Sequence, residues 1–342
     1  MATPPSQLVH NGQPLFGRFP ALIPHVNGFD ADYLTAMGQP VSRWRKRFFY
    51  KEFQYFGLIS RDHLIGCALA HTGFMGIVFV YVFDIHSGKL QEYSWRSPLG
   101  SALEMTRTPG QGSSRFRHRK VAIDMRYRQQ EDGSLRKQLL LEIPGLALDA
   151  TLNEPLGYQS MSLCTRAGVN GWVYANKVAG VPVTGQLQLA GQTYDLAQQQ
   201  AFGHHDFSAG YMRRQTFWNW ACFSGRVGND DLGLNLSCGV NETTWSENCL
   251  WRNGELIPVA GTRFDYDPRN LQAPWQVTST DCNIQLRFTP LGTHRERLNL
   301  MLFAATFHQL FGYFDGTIQL PSGDTLTIEK LYGFVEEQYA KW

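Results

Sequence analysis

Two imidazoles and a carboxylate stand together at His204, His205 and Asp206, inside the run Phe202-Gly-His-His-Asp-Phe-Ser-Ala-Gly210. Side chains alternate across a strand, so a strand over residues 203–207 puts His204 and Asp206 on one face and His205 on the other. A carboxyl and an imidazole on one face can relay a proton. The aromatic neighbours Phe202, Phe207, Trp218 and Trp220 lower the local dielectric and raise a carboxyl pKa toward neutrality. Asp206 is thereby a candidate general acid, able to protonate an alkene, with His204 orienting it. The competing structural role has Asp206 accepting backbone or Arg213 hydrogen bonds and pinning a turn. Glu336, in Gly333-Phe-Val-Glu336, carries the same choice, and its neighbours Glu337 and Tyr339 are expected to be solvated.

Trp218 and Trp220 lie two apart and share one strand face. They serve either core packing or the wall of a ligand cavity. Asn235, Glu247 and Asn248 are polar residues among apolar strand positions. Each belongs to a satisfied core network or orients a bound ligand. A metal on His204 and His205 would need a third ligand, and no spacing brings His71 or His308 to them. The six cysteines form neither a CxxC pair nor a tight cluster with histidine, which fits buried thiols in a reducing compartment. No GxSxG, HExxH, P-loop or dinucleotide fingerprint occurs, which argues against the common hydrolases, zinc proteases and nucleotide enzymes. No metal or cofactor is therefore expected.

The elements that must carry these residues read as strands. The chain has 342 residues, 43% hydrophobic, 13% aromatic and only 18% charged, a balance that excludes extensive disorder and favours β structure. A net charge of +2 gives no reason to expect nucleic acid as a partner. The basic run from Arg43 to Arg47 is read as a solvated face or an interdomain clamp. Residues 1–20 lack the basic-then-apolar pattern of a secretory leader, so a cytoplasmic location is expected, with loose peripheral membrane contact left open. The apolar runs 74–83 and 298–314 are too short or too polar to span a bilayer as helices.

The chain also reads as a duplication. Tyr50-Lys-Glu-Phe-Gln-Tyr-Phe-Gly, Gly66-Cys-Ala-Leu-Ala-His and the turn at Gly88 are followed in the same order by Phe217-Trp-Asn-Trp-Ala, Gly233-Leu-Asn-Leu-Ser-Cys and the turn at Gly254. Gly185 and Gly203 in the first half match Gly316 and Gly333 in the second, which sets Asp206 opposite Glu336. Residues 186–189, 193–196, 317–320 and 325–328 alternate as hairpin strands should. Helix is expected only over Asp30–Met37 and in a short stretch after Gly292, and 97–119 as a mobile loop. The expected architecture is all-β: an N-terminal segment (1–40) and two tandem lipocalin-like antiparallel β-barrels (41–210 and 211–342), since closure removes exposed edges.

The run 202–210, then Phe217-Trp-Asn-Trp-Ala, Gly233-Leu-Asn-Leu, Glu247-Asn and Asn253-Gly-Glu-Leu, resembles the bacterial family called domain of unknown function 2804. The ending Gly333-Phe-Val-Glu-Glu-Gln-Tyr-Ala-Lys-Trp342 is similar to that family's C-terminal signature. The family is in turn distantly similar to the carotenoid 1,2-hydratase group and other tandem lipocalin-like proteins, although those enzymes carry a Trp-Met-Asp-His order where this chain has His-His-Asp. The resemblance implies a lipocalin-like fold. It also implies, by analogy, water addition across an isoprenoid double bond without metal or organic cofactor.

Two functions follow as expectations. The first is binding of a small hydrophobic ligand (lipid, isoprenoid or fatty acyl) by a monomer, in a barrel or at the seam between barrels, with Trp218, Trp220, Asn235, Glu247 and Glu336 as contacts. The second is a cofactor-free hydratase or isomerase using Asp206 and His204. A glycan-binding sandwich with exposed tryptophans is the third and weakest.

Overall fold

The computed structural model describes residues 4–240, 245–300 and 303–341; Trp342, the end of the C-terminal signature, lies outside them. Strands form because apolar residues recur every second position. In Leu135–Ile143, residues Leu135, Leu139, Leu141 and Ile143 turn inward, and Leu146, Leu148, Ala150 and Leu152 answer from Leu146–Glu154. The hairpin register pairs Ile143 with Leu146 across Pro144-Gly145, where Gly145 takes φ 86°. That backbone conformation is one that glycine adopts without steric cost.

The described strands assemble into two large antiparallel sheets, one nearly closed into a barrel and one a half-barrel, beside a two-stranded ribbon at the N-terminus. In each, a meander of four strands is followed by the last strand of that half, which pairs with the meander's first. Thus Phe202–Tyr211 lies on Tyr50–Ile59, and Thr325–Lys341 lies on Gln215–Val227. The next strand inward is Gly171–Leu189 in the first sheet and Phe303–Gln319 in the second.

Register is consistent with the duplication around the two acidic positions. Asp206 pairs with Tyr55 on one side and Lys177 on the other, and Glu336 pairs with Trp220 and Gln309 in the same places. Gly185 and Gly316 are equivalent, with φ of 123° and 143°, and at each an added Cβ would strike the carbonyl of the neighbouring strand. The expected match of Gly66 with Gly233 is corrected by two residues. Gly66 faces Gly57, whose equivalent Cys222 faces Asn235. An even offset leaves the same side chains on the same face.

Both concave interiors are lined by buried apolar side chains. Phe56, Val80, Phe116, Ile123, Met125, Leu139 and Leu148 are buried in the first, and Phe223, Leu234, Trp275, Phe288 and Phe314 in the second. The first also encloses Lys137, 2.9 Å from Glu154. Of the two expected ligand locations, a barrel or the seam between barrels, the cavity described below lies between the sheets. There a third cluster, with Tyr55, Phe79, Tyr81, Trp220, Phe311 and Phe334, joins the halves.

Three local expectations are corrected. Residues 30–37 form no helix beyond a 3-10 turn at Gly28–Asp30, and the helix is Arg43–Phe49. The stretch after Gly292 continues the strand Ile284–Leu300, because it pairs along its length with Phe303–Gln319. Within 97–119, Leu103–Glu104 and Gly112–His118 are strands, since Ser114 and Phe116 alternate inward. No described helix is long and apolar enough to cross a membrane.

The halves meet backbone to backbone. Gly180 takes φ 70° and donates its N–H to Ser224 Oγ (2.9 Å), and a Cβ on Gly233 would fall 2.2 Å from the Ala179 carbonyl carbon. Gly233→Ala is expected to lower unfolding free energy by about 1–3 kcal/mol, as overpacking of a tight contact does. Urea unfolding reads this, and an unchanged midpoint would contradict backbone contact at the seam.

Candidate functional site

A cavity of about 360 Å³ opens at the seam. Its apolar walls are Phe53, Ile77 and Phe79 from the first sheet and Trp218, Trp220 and Phe307 from the second. Strand alternation delivers these residues: 53 and 55 share a face, as do 218 and 220. Among the ionisable groups that line the same space are Lys177, Asp206, Glu247 and Glu336.

Lys177 is the only charged residue of the strand Gly171–Leu189. Its ammonium sits 2.9 Å from Asp206 Oδ2 and 2.7 Å from Glu247 Oε1, so it bridges a carboxylate of each half. Side-chain exposure is 8% for Lys177, 15% for Asp206 and 1% for Glu247, so water screens these charges poorly. Ser208 Oγ also donates to Asp206 Oδ1 (2.7 Å). Burial pushes the Asp206 carboxyl up, against the pull of the Lys177 charge. Burial works against the Lys177 ammonium, but Asp206 and Glu247 outweigh it and hold its pKa above the usual lysine value.

Glu336 is differently kept. Trp218 Nε1 donates to its Oε2 (3.2 Å) and Gln309 Nε2 to its Oε1 (2.5 Å). The Gln309 carbonyl accepts from Tyr81, and the hydroxyls of Tyr55 and Tyr81 are 2.8 Å apart. With neutral donors in place of an ammonium, burial pushes the Glu336 carboxyl up to about 7.

His204 and Asp206 do share the seam face, while His205 points into the first barrel, where its Nε2 lies 3.0 Å from Tyr127 OH. The expected orienting contact is corrected: Asp206 is held by Lys177 and Ser208, and neither ring nitrogen of His204 makes a hydrogen bond. His204 packs instead among Tyr55, Trp220 and Phe334, against Gly57, where a Cβ would fall 2.0 Å from the ring. Burial and the Lys177 charge lower its pKa to about 3. Arg213, the expected partner in the structural role, is replaced by Lys177. His71 and His308 have other partners: a His71 ring nitrogen accepts from Gly73 N–H, and His308 lies 3.5 Å from Glu337. Glu337, expected to be solvated, accepts from Tyr266 OH (2.6 Å).

Trp220 Nε1 donates to Asn235 Oδ1 (2.8 Å), and Asn235 Nδ2 donates to the Glu247 carbonyl (3.0 Å), so Asn235 positions both. Asn248 braces the adjoining strand by accepting from Ser237 N–H (2.6 Å). Among the described residues no group of three or more His, Cys, Asp or Glu side chains is arranged to hold a metal ion.

These features define an all-β protein of two related sheets with an acid-lined apolar cavity at their seam. The chain belongs to the family described as Domain of unknown function (DUF2804), whose model matches residues 25–342. No curated protein matches it in sequence. Among solved structures it is similar to kievitone hydratase from Nectria haematococca, with 11% identity and a TM-score of 0.50 over 95% of this chain and 98% of that one. CghA matches at 10% identity and TM-score 0.49 over 99% and 97% of the two chains. A protein assigned as AttH from Nitrosomonas europaea matches at 14% and 0.48 over 84% and 92%. At such identities the kievitone hydratase likeness establishes the fold alone.

Two predictions follow from the electrostatics. Lys177→Met leaves two buried carboxylates without a counter-charge and is expected to cost about 3–5 kcal/mol in urea unfolding. Adding Asp206→Asn and Glu247→Gln should restore most of it, and a cost that persists would show the charge bridge is not its source. Glu336 binds its proton more tightly folded than unfolded, so its contribution falls as pH rises from about 4.5 to about 7. The difference in unfolding free energy between Glu336→Gln and the parent should therefore change across that window, and a constant difference would contradict the raised pKa.

Proposed function

We propose that the seam cavity binds a small, predominantly apolar molecule and that its two unlike carboxyls transfer protons to and from it, as a cofactor-independent hydratase or isomerase of a carbon–carbon double bond. The observation that carries this reading is the placement of Glu336 and Asp206 on one apolar-walled cavity, each with different partners. Two titratable groups whose surroundings differ divide the acid and base roles between them.

Glu336, held near neutrality and bonded only by neutral groups, is the proton donor. Asp206, paired with Lys177, is the acceptor. This reverses the donor role that the sequence suggests for Asp206. In hydration, the Glu336 O–H bond breaks and a C–H bond forms at one alkene carbon. Positive charge develops on the other carbon, where the faces of Trp218, Trp220 and Phe307 stabilise it by cation–π attraction. Water then forms the C–O bond and loses its proton to Asp206, and solvent returns that proton to Glu336. In isomerisation the base removes a carbon-bound proton instead, and no water is added. His204, neutral above about pH 3, fills space between the halves and takes no proton in this scheme. A cytoplasmic monomer remains part of this reading.

Binding is tested with N-phenyl-1-naphthylamine, whose fluorescence rises in apolar sites. The parent should bind it, Phe79→Trp or Phe307→Trp should weaken binding by filling the cavity, and Glu336→Gln and Asp206→Asn should retain it. Incubation with alkene-bearing lipids in oxygen-18 water should then give products that have gained labelled water or a shifted double bond, from the parent and from neither carboxyl variant. Binding untouched by the cavity-filling changes would overturn the site. Binding without turnover of any alkene would leave a carrier of apolar ligands in place of an enzyme.

A further inference from the structure

The helix Arg43–Phe49 sits beside the cavity and is strongly basic. It carries Arg43, Arg45, Lys46 and Arg47 with no acidic residue, and Trp44 is 64% exposed. Phe49 is also exposed, and so are Leu34 and Met37 (86%) in the preceding turn, which packs on the helix through Tyr33 and Phe49 (5.5 Å between ring centroids). Large apolar side chains gathered among cations on a surface are costly in water unless a partner covers them.

This patch leads into the cavity. Trp44 and Phe48 lie four apart on one helix face, with centroids 6.0 Å apart. Phe48 stacks on Phe74 at 4.8 Å, and Phe74 lines the cavity. Lys51, also on the cavity lining, donates to the Phe48 carbonyl (2.8 Å) and to that of Thr72, tying the helix end to the opening. A row of aromatic rings thus runs from the protein surface to the place where an apolar ligand would enter.

We propose that the Arg43–Phe49 helix and the Leu34–Met37 turn dock on an anionic lipid surface, setting the cavity mouth against the bilayer so that the apolar ligand passes between lipid and seam without crossing water. The ligand-transfer clause rests on the proposed function; the docking itself does not. The charge is complementary: the cations attract anionic headgroups, while Trp44, Met37 and Phe49 reach the boundary with the acyl chains, as in helices that lie in the interface. Nucleic acid would use the same cations but gives no reason for exposed Met37 and Leu34 beside the mouth of an apolar cavity.

The test is sedimentation of the full chain with phosphatidylcholine vesicles, with and without phosphatidylglycerol. The protein should sediment with the anionic vesicles alone and be released by high salt. The triple variant Arg43→Gln/Arg45→Gln/Arg47→Gln should lose affinity by at least about tenfold, and Trp44→Ala should weaken binding at unchanged salt dependence. Lys46 is left in place because it donates to the Ala31 carbonyl. Both variants should melt with the parent and take up N-phenyl-1-naphthylamine from solution as it does. No sedimentation, equal sedimentation of the triple variant, or binding to a single-stranded oligonucleotide in preference to vesicles would each overturn the proposal. Loss of dye uptake by the parent would instead count against the cavity reading and leave the docking result standing.

Discussion

The ammonium of Lys177 is the point on which the seam turns. It lies between a carboxylate of its own sheet, Asp206, and one of the other, Glu247, in a place with little water. Separating the halves would strand charges of both signs at an apolar surface. The desolvation cost of such a group is large, and it is offset only while the geometry holds. The same bridge keeps charge on the cavity lining.

The duplicated register gives this arrangement a second copy with different chemistry. Tyr55, Asp206 and Lys177 in one half stand where Trp220, Glu336 and Gln309 stand in the other. Lys177 reaches across the seam to Glu247, and Gln309 reaches across to Tyr55 and Tyr81. One half therefore supplies an ion pair and the other a carboxyl held by neutral donors. Substitution of one cross-strand partner creates that difference without moving the backbone.

Much of the fold was legible from alternation and from glycines. The hairpins at 186–195 and 317–328 and the equivalence of Asp206 with Glu336 all follow from period-two patterning and turn chemistry. The assignment of His204 and Asp206 to one face followed from the same rule. Helix placement was not legible, because Asp30–Met37 has helix-compatible residues but no apolar stripe to bury, while the basic run that does form a helix reads as polar. The orienting partner of Asp206 was missed although a signal existed: a single lysine in the apolar run Val173-Tyr-Ala-Asn-Lys177-Val-Ala is a charge that must be buried with a counter-charge. Gln309 was not legible at all, since its role depends on a register between strands that no local pattern specifies. That a cavity opens at the seam is equally a property of packing between distant residues.

Two unlike carboxyls facing one apolar space carry the proposed chemistry. Carbon-13 NMR of the glutamate and aspartate side-chain carboxyls, titrated with and without N-phenyl-1-naphthylamine, reads both at once. The Glu336 signal, assigned by its loss in Glu336→Gln, is expected to titrate near pH 7 in the free protein and to move higher when the dye excludes water from the cavity. A Glu336 midpoint near that of an exposed glutamate, unmoved by the dye, would contradict the proposed chemistry.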